Sequence, residues 1–389
     1  MNYLSVEKRK SMVIIVMAVL LHYAGIFAGM WLPVATVPSF RHVTGTWLDH
    51  FLQWDALWYY AIAHFGYIMP LFAQQKFFSI TNTIPLNPPL KAAAFFPGLP
   101  FVIQMIGTIP ALLLGNVLFI FCVILLYNMV AREVNAKTAM VSVLLFAVNP
   151  ASLYFTALYA EPYIVFCSMV ILYAMQKETR RGDVIAFLLC MVVGFMYKMA
   201  LFVGVFGLRY VRQGKVMKGI LFMASACAGW VFFALYLWSK TSHPLAFIAS
   251  ESGWGREFSL PFVGFVRGLI HKDILDSFYF VLLLYLIVRY AMQVLKEDSA
   301  WLPKAPIHLF SLETGLFVVL DALVVTSSYV AYAPLMSVLR LLGVLWPIYI
   351  TKKFTKQRYG KVWFGIFFVL FLIVTMIGAA LYTHGYFYE

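Results

Sequence analysis

A single carboxylate, Asp55, stands at the head of an aromatic segment that runs from Gln53 to Tyr67 with the sequence QWDALWYYAIAHFGY. The segment is amphipathic and too polar to span a bilayer, so we expect it at a membrane boundary. A carboxylate held there can act as a general base toward a hydroxyl, which is usually worth about 10²–10⁴-fold in rate. The alternative is structural, because Trp54 and Tyr59 give Asp55 the spacing of a helix N-cap with a hydrophobic staple. Both roles can hold, since a capping carboxylate stays ionised and oriented.

Glu161 is the second carboxylate. It follows Tyr159 in a short predicted turn between two apolar stretches, immediately before Pro162. An acid this close to hydrocarbon is costly unless it is paired or hydrated. We therefore predict that Glu161 holds an acceptor sugar or positions a cation. The structural alternative is a first-turn acid that the helix dipole favours.

Three basic residues are predicted near the same face, namely Lys198, Arg256 and Arg340. Lys198 interrupts an apolar stretch, and Arg256 follows Trp254 by two positions. We predict that two of the three hold a lipid phosphate, an arginine through a two-pronged hydrogen bond and the lysine as a point charge. The alternative for each is a side chain that only extends to the membrane interface. Asp321, inside the end of a predicted span, is expected to pair with Arg340 and orient it.

The composition of the 389 residues sets the class of protein. Hydrophobic residues make up 63% of the chain, charged residues only 12%, and the mean hydropathy is +0.86. A soluble domain carries about 25% charged residues, so much of this surface must face lipid. The net charge of +13 then indicates basic cytoplasmic loops rather than a nucleic-acid partner. The sequence predicts an integral membrane protein.

The apolar stretches predict an all-α polytopic protein of about eleven transmembrane helices in one domain, residues 1–389. A basic triplet precedes the first stretch, residues 12–31, which places the amino terminus in the cytoplasm. Residues 32–111 form a long first extracytoplasmic loop, whose apolar part at 92–109 is expected to be an interfacial helix because prolines interrupt it. Residues 241–276 form a second large extracytoplasmic loop.

Other polar residues receive structural interpretations. The cysteines are scattered in apolar stretches, and neither they nor the histidines have the spacing of metal ligands. The sequence requires no cofactor and leaves a metal open. A predicted span covers residues 337–350, and Glu313 in the preceding span has no role that the sequence reveals. Contact with anionic lipid at the cytoplasmic surface is predicted for Arg209, Arg212, Lys215 and Lys218.

The chain resembles the PIG-V-type mannosyltransferases, a family within the GT-C superfamily of glycosyltransferases. The resemblance is carried, in chain order, by Trp54-Asp55-x-x-Trp58-Tyr59, the run AFFPGLP at 94–100, Tyr159-x-Glu161, Trp254-x-Arg256, and Arg340 followed by Trp346-Pro347. The first two motifs are quite specific together, and the later ones are weak alone. The resemblance covers most of the chain.

This resemblance implies a GT-C-like helical bundle and an enzyme of glycolipid biosynthesis in the cell membrane, with its active site on the extracytoplasmic face. The donor would be a polyprenyl-phosphate sugar, with mannose expected, and the acceptor a hydroxyl of a glycan or a lipid-linked glycan. Asp55, Glu161 and Arg340 match the acids and the late arginine of the family. Lys198 stands where the family tends to have arginine, which keeps the charge but loses the two-pronged contact. The lean loops are typical of a prokaryotic member.

In the predicted reaction, Asp55 deprotonates the acceptor hydroxyl, which attacks the anomeric carbon opposite the phosphate and inverts its configuration. Fixed cations can stabilise the departing phosphate without a metal. The alternative from another class is a transporter or flippase of lipid-linked sugars, although transporters tend to place charges near the bilayer midplane and to show repeated halves. Substrate contacts are predicted for the rings of Trp54, Trp58, Tyr59, Tyr159 and Trp254.

Overall fold

The computed structural model describes residues 2–34, 46–69, 91–196, 201–297, 307–356 and 358–386. The predicted phosphate ligand Lys198 lies outside the described residues. The described chain is predominantly helical, as the hydrophobic pattern predicted. In chain order the α-helices are α1 (Asn2–Met30), α2 (Asp55–Phe65), α3 (Gly98–Ile106), α4 (Thr108–Glu133), α5 (Ala136–Val148), α6 (Leu153–Thr156), α7 (Glu161–Gln176), α8 (Arg180–Met196), α9 (Leu201–Gly204), α10 (Leu208–Arg212), α11 (Val216–Thr241), α12 (Ala246–Gly253), α13 (Val263–Ile270), α14 (Ile274–Glu297), α15 (Leu312–Thr326), α16 (Val338–Gly343), α17 (Lys353–Lys356) and α18 (Gly360–Thr383).

Short elements complete the described chain. Strands β1 (Arg256–Phe258) and β2 (Ser328–Val330) pair antiparallel, with Arg256 opposite Val330. The 3₁₀ helices are Trp47–Phe51, Pro150–Ser152, Val205–Gly207 and Trp346–Tyr349.

Within the described residues, five helices are long and apolar enough to cross a membrane, namely α1, α4, α11, α14 and α18. About 20 apolar residues at 1.5 Å each cover a hydrocarbon core of about 30 Å, and each of the five exceeds that length. The multi-pass membrane architecture that the composition predicted is confirmed. The total of about eleven spans stays a prediction.

A sixth span would arise from α5 and the segment Pro150–Thr156, but the chain bends by 65° between them. Pro150 has no amide hydrogen to donate and disfavours a helical conformation of the preceding residue. Asn149 is accordingly extended, with φ −68° and ψ 146°. The bend opens a buried turn at residues 150–160 that leads directly to Glu161, the first residue of α7.

The predicted span at residues 337–350 is wrong as a single helix. The structure has the six-residue helix α16 followed by a 3₁₀ helix at Trp346–Tyr349. Pro347 cannot donate a backbone hydrogen bond within a longer helix. Residues 338–350 are nearly all buried in the protein, so their apolar character reflects contact with other helices rather than with lipid.

Two basic residues that were expected at the lipid surface pair with a buried acid in the protein. Arg209 and Arg212 lie 3.7 and 3.1 Å from the Glu313 carboxylate, whose residue is fully buried at the start of α15. Arg209 itself is only 3% exposed. The prediction of lipid contact is therefore wrong for Arg209, and Glu313 acquires a role. The acid compensates two cations that α10 brings inside the bundle.

Helices α8 and α11 approach closely at a pair of glycines, Gly194 and Gly229. A Cβ at position 229 would lie 2.2 Å from the backbone carbonyl carbon of Gly194. Small residues allow such backbone approach, and in membranes the resulting van der Waals contact replaces the hydrophobic driving force. The packing of these two helices thus depends on the absence of side chains at the crossing.

We expect Gly229→Leu to lower the free energy of unfolding by at least about 2 kcal/mol, because the side chain overpacks a crossing that has no space. Thermal unfolding of the purified protein in detergent measures the effect. Gly365→Leu is the matched control, since a Cβ at Gly365 in α18 meets nothing within 4 Å. Equal stability of the two variants would contradict the described crossing.

Candidate active site

Helix α2 begins at Asp55, after an unusual backbone turn at Trp54. Trp54 has φ 55° and ψ −116°, and a sparsely populated conformation of this kind costs about 1–3 kcal/mol. Trp54 Nε1 donates a hydrogen bond of 2.8 Å to the carbonyl of Tyr386, which holds the turn. Trp54 occupies the N-cap position and no side chain caps the helix there. The prediction that Asp55 is the N-cap is therefore wrong, because Asp55 is the first residue of the helix and Trp54 is the N-cap.

The carboxylates of Asp55 and Glu161 meet at one guanidinium, that of Arg340. Arg340 Nη1 lies 2.8 Å from Asp55 Oδ2, and Arg340 Nε lies 3.1 Å from Glu161 Oε1. Glu161 and Arg340 are 6% and 9% exposed, whereas the Asp55 side chain keeps 21% of its surface accessible. Two acids this close repel each other and lose hydration, so a shared cation is needed to hold them together. The structure thus unites three residues that the sequence singled out.

Aromatic rings face the same guanidinium. The ring centroids of Tyr154 and Tyr159 lie 5.3 and 5.2 Å from Arg340 Cζ, within the cation–π range of about 6 Å. Burial raises the pKa of Tyr159 well above its ordinary value, and Tyr382 and Asp55 raise it further. The Tyr159 hydroxyl therefore stays protonated. The formal charge of the site resides on the two acids and Arg340.

Helix α16 positions Arg340 against the turn that the Pro150 bend creates. Ser337, just before the helix, has φ 64°, and Arg340 is the third residue of the helix. At the other end, a Cβ at Gly343 would lie 2.5 Å from the Cβ of Ala151. Only glycine permits this contact, which fixes α16 next to the buried turn that ends at Glu161.

The end of α18 holds the residues in front of Asp55. The Tyr382 hydroxyl donates to the Gln53 carbonyl at 3.1 Å and accepts from the Gln53 amide at 3.3 Å. Tyr386, just beyond the helix, accepts the bond from Trp54 already described. A helix more than 300 residues away in sequence therefore sets the direction in which the Asp55 side chain leaves the backbone.

A second aromatic group lies one helical turn beyond Asp55. Trp58 stacks on Phe95, with centroids 5.6 Å apart and planes at 8°, and meets Trp254 edge-on at 5.4 Å. Tyr59 packs against Phe95 at 5.3 Å. Of the predicted substrate-binding rings, Trp58, Tyr59 and Trp254 therefore meet around Phe95. Tyr159 faces Arg340 and also contacts Tyr59 at 6.4 Å. Their contacts with substrate stay predictions.

Arg256, on β1, is held by protein groups. Its Nε lies 3.1 Å from Glu251 Oε2, its Nη1 donates to Ser328 Oγ at 3.2 Å, and its Nη2 donates to the Met336 carbonyl at 3.1 Å. These contacts tie the two strands to the residues just before α16. The predicted phosphate contact of Arg256 would require exchange of at least one of them.

Asp321 does not orient Arg340, contrary to the sequence-based expectation, since the acids that pair with Arg340 are Asp55 and Glu161. Asp321 is 7% exposed and lines a cavity of about 40 Å³ that Glu161 also lines. Within the described residues, Asp321 Oδ1 has no hydrogen-bond partner. The expectation failed because the sequence places Asp321 near the correct end of the bundle but cannot tell which acid reaches the guanidinium.

Lys91 is a cation at the site that the sequence did not single out. Its Nζ lies 4.8 Å from the centroid of the Trp254 ring, and its carbonyl accepts a hydrogen bond of 3.3 Å from Trp254 Nε1. Burial lowers the pKa of Lys91. No local pattern could have identified it, because its partner lies 163 positions away.

A cavity of about 470 Å³ lies between the start of α14, the loop before α16 and the end of α18. Its volume is in the range of ligand pockets, about 300–1,000 Å³. Its lining includes Asp276, Tyr332, Met336 and Leu381. Within the described residues there is no group of three or more His, Cys, Asp or Glu side chains that could hold a metal ion.

A family model described as Mannosyltransferase (PIG-V) matches residues 26–242, more than half of the chain. The five long apolar helices make it a multi-pass membrane protein. It belongs to the PIG-V mannosyltransferase family, which confirms the resemblance carried by its motifs. The matched range contains Asp55 and Glu161 and ends before Arg256 and Arg340.

No curated protein matches the chain. Among solved structures, the chain is similar to the oligosaccharyltransferase of Archaeoglobus fulgidus in its apo form, with 10% sequence identity and a TM-score of 0.48. The alignment covers 97% of this chain and 56% of the oligosaccharyltransferase, so the chain spans little more than half the length of that protein.

We expect Arg340→Met to lower the free energy of unfolding by about 3–5 kcal/mol, because it leaves two acids without their shared cation. Arg340→Lys should lose less, since it keeps the charge but lacks the planar fork that reaches both carboxylates. Thermal unfolding in detergent measures both. The control is Lys352→Met, which removes a more exposed ion pair with Glu297 and should cost about 1 kcal/mol or less. A small effect at Arg340 would argue against the bridge.

Proposed function

We propose that this protein transfers mannose from a polyprenyl-phosphate donor to a hydroxyl of a glycan or lipid-linked acceptor, with inversion, on the non-cytoplasmic face of the cell membrane. The assembly of Asp55, Glu161 and Arg340 is the observation that carries the proposal. Membership of the mannosyltransferase family supports the sugar. The polyprenyl phosphate follows from what the family resemblance implies.

Asp55 is the proposed general base. Its side chain is the more accessible of the two acids, at 21% exposure, so an acceptor hydroxyl can approach it. The Arg340 contact at 2.8 Å uses one carboxylate oxygen and leaves the other for the proton. General-base catalysis requires only that the hydroxyl come within about 3 Å of that oxygen.

Glu161 and Arg340 are the proposed positioning pair. Glu161 is buried at the start of α7, and Arg340 joins it to Asp55. In this arrangement Arg340 fixes the orientation of Asp55, and Glu161 fixes that of Arg340. We also propose that Glu161 accepts a hydrogen bond from a sugar hydroxyl.

The proposed reaction forms one bond and breaks one. The acceptor oxygen bonds to the anomeric carbon of mannose while its proton passes to Asp55. The bond from that carbon to the phosphate oxygen breaks on the opposite side, and its electron pair leaves with the polyprenyl phosphate. Cations can stabilise the charge that develops on the phosphate, and we propose Lys198, Arg256 and Arg340 for this role.

We expect Asp55→Asn to lower turnover by about 10²–10⁴-fold while donor binding is retained, because the amide keeps the shape of the side chain and still accepts from Arg340. Release of polyprenyl phosphate from polyprenyl-phosphate mannose by purified protein measures turnover. Asp49→Asn is the control, since this acid lies six residues before Asp55. Its carboxylate accepts a hydrogen bond from the Thr46 amide at the start of a 3₁₀ helix. Normal turnover by Asp55→Asn would remove Asp55 from the reaction, and a wild-type protein that moves the donor without cleaving it would favour a flippase.

A further inference from the structure

We infer that Lys91 binds the phosphate of the polyprenyl-phosphate donor, against the edge of the ring pair formed by Trp58 and Trp254. The inference rests on the proposed function and deepens it, because it assigns to the donor phosphate a cation outside the Asp55–Arg340 assembly.

The charge of that assembly is the first reason. Asp55, Glu161 and Arg340 sum to a formal charge of −1, and the arginine contacts both acids. A departing phosphate monoester carries nearly two negative charges at neutral pH. Like charges at short range repel, so a phosphate beside this assembly needs positive charge that the acids do not already neutralise.

The second reason is that Lys91 has no acidic partner among the described residues. Arg256 has a carboxylate partner in Glu251, whereas within the described residues no acid lies within ion-pair distance of Lys91. The only contact of its ammonium that the described residues provide is the Trp254 ring, 4.8 Å from Nζ. Lys91 is half-buried, and this burial lowers its pKa, so its ammonium has lost part of its hydration. A partly desolvated ammonium without a counterion is a place where an anion binds favourably.

The position of Lys91 relative to Asp55 is the third reason. Trp58 lies three residues after Asp55 in α2, so the two side chains share a helix face and their Cβ atoms are about 5–6 Å apart. Trp58 contacts Trp254 at 5.4 Å, and Trp254 contacts Lys91. Two ring contacts thus connect Lys91 with the helix face that carries Asp55. An inverting transfer places the base and the departing phosphate on opposite sides of the anomeric carbon, so a cation for the phosphate is expected near Asp55 but outside its ion pair.

The backbone fixes Lys91 in that place. The Lys91 carbonyl accepts hydrogen bonds from Trp254 Nε1 at 3.3 Å and from the Ala94 amide at 3.2 Å. A turn from Lys91 to Ala94 thus precedes the AFFPGLP run and is tied to the Trp254 side chain. The segment from Lys91 to Phe95 therefore contributes both a cation and an aromatic ring next to Trp254.

The test uses farnesyl monophosphate and farnesol as probes, with the full-length protein in lipid nanodiscs. We expect Lys91→Met to weaken farnesyl monophosphate binding by about 10- to 100-fold, the range for loss of a charged hydrogen bond, and to leave farnesol binding unchanged. Lys91→Arg should remain near the wild type, because it restores the charge. The matched control is Lys240→Met, an exposed lysine at the end of α11, which should change neither affinity.

Two results would overturn the inference alone. Wild-type affinity of Lys91→Met for farnesyl monophosphate would exclude a phosphate contact, and an equal loss of both probes would indicate that Lys91 only packs against Trp254. Neither result affects the Asp55→Asn experiment, which tests transfer rather than phosphate binding. A wild-type protein that binds farnesyl monophosphate no better than farnesol would contradict both the inference and the proposed donor.

Discussion

The structure depends on one buried cation that holds two acids. Arg340 joins Asp55 at the start of α2 to Glu161 at the start of α7, and these helices begin more than 100 residues apart in sequence. Each acid alone would be costly at such a depth, and the two together would repel each other. The guanidinium removes that penalty, because its planar fork offers donors in two directions. The placement of α2, α7 and α16 follows from the need to bring these three groups to one point.

Some backbone irregularities of the structure lie close to these three residues. The positive φ of Trp54 and that of Ser337 lie just before the helices that carry Asp55 and Arg340, and the Pro150 bend begins the buried segment that leads to Glu161. Unusual backbone conformations persist only where the surroundings hold them, and here the bonds of Trp54 and the contact of Gly343 do so. The three residues of the site lie on short or interrupted helical segments between the long apolar helices.

The sequence was sufficient to predict the five long spans and to single out Asp55, Glu161 and Arg340, which the structure brings together. Apolar length is a direct consequence of bilayer thickness, and an acid or arginine at the end of an apolar stretch is conspicuous. The sequence was not sufficient where burial in protein and burial in lipid look alike. Residues 337–350 and Arg209 were misassigned for that reason, since hydropathy does not distinguish a helix inside the bundle from one at its surface. Lys91 was missed because its contact with Trp254, 163 positions away, leaves no local pattern in the sequence.

A double-mutant cycle tests whether Asp55 and Arg340 interact directly. The free energy of unfolding would be measured in detergent for the wild type, Asp55→Ala, Arg340→Met and the double variant. We predict a coupling energy of about 1–3 kcal/mol, because each single change removes the same contact. Additive effects, with a coupling near zero, would mean that the carboxylate and the guanidinium do not meet and would contradict the account.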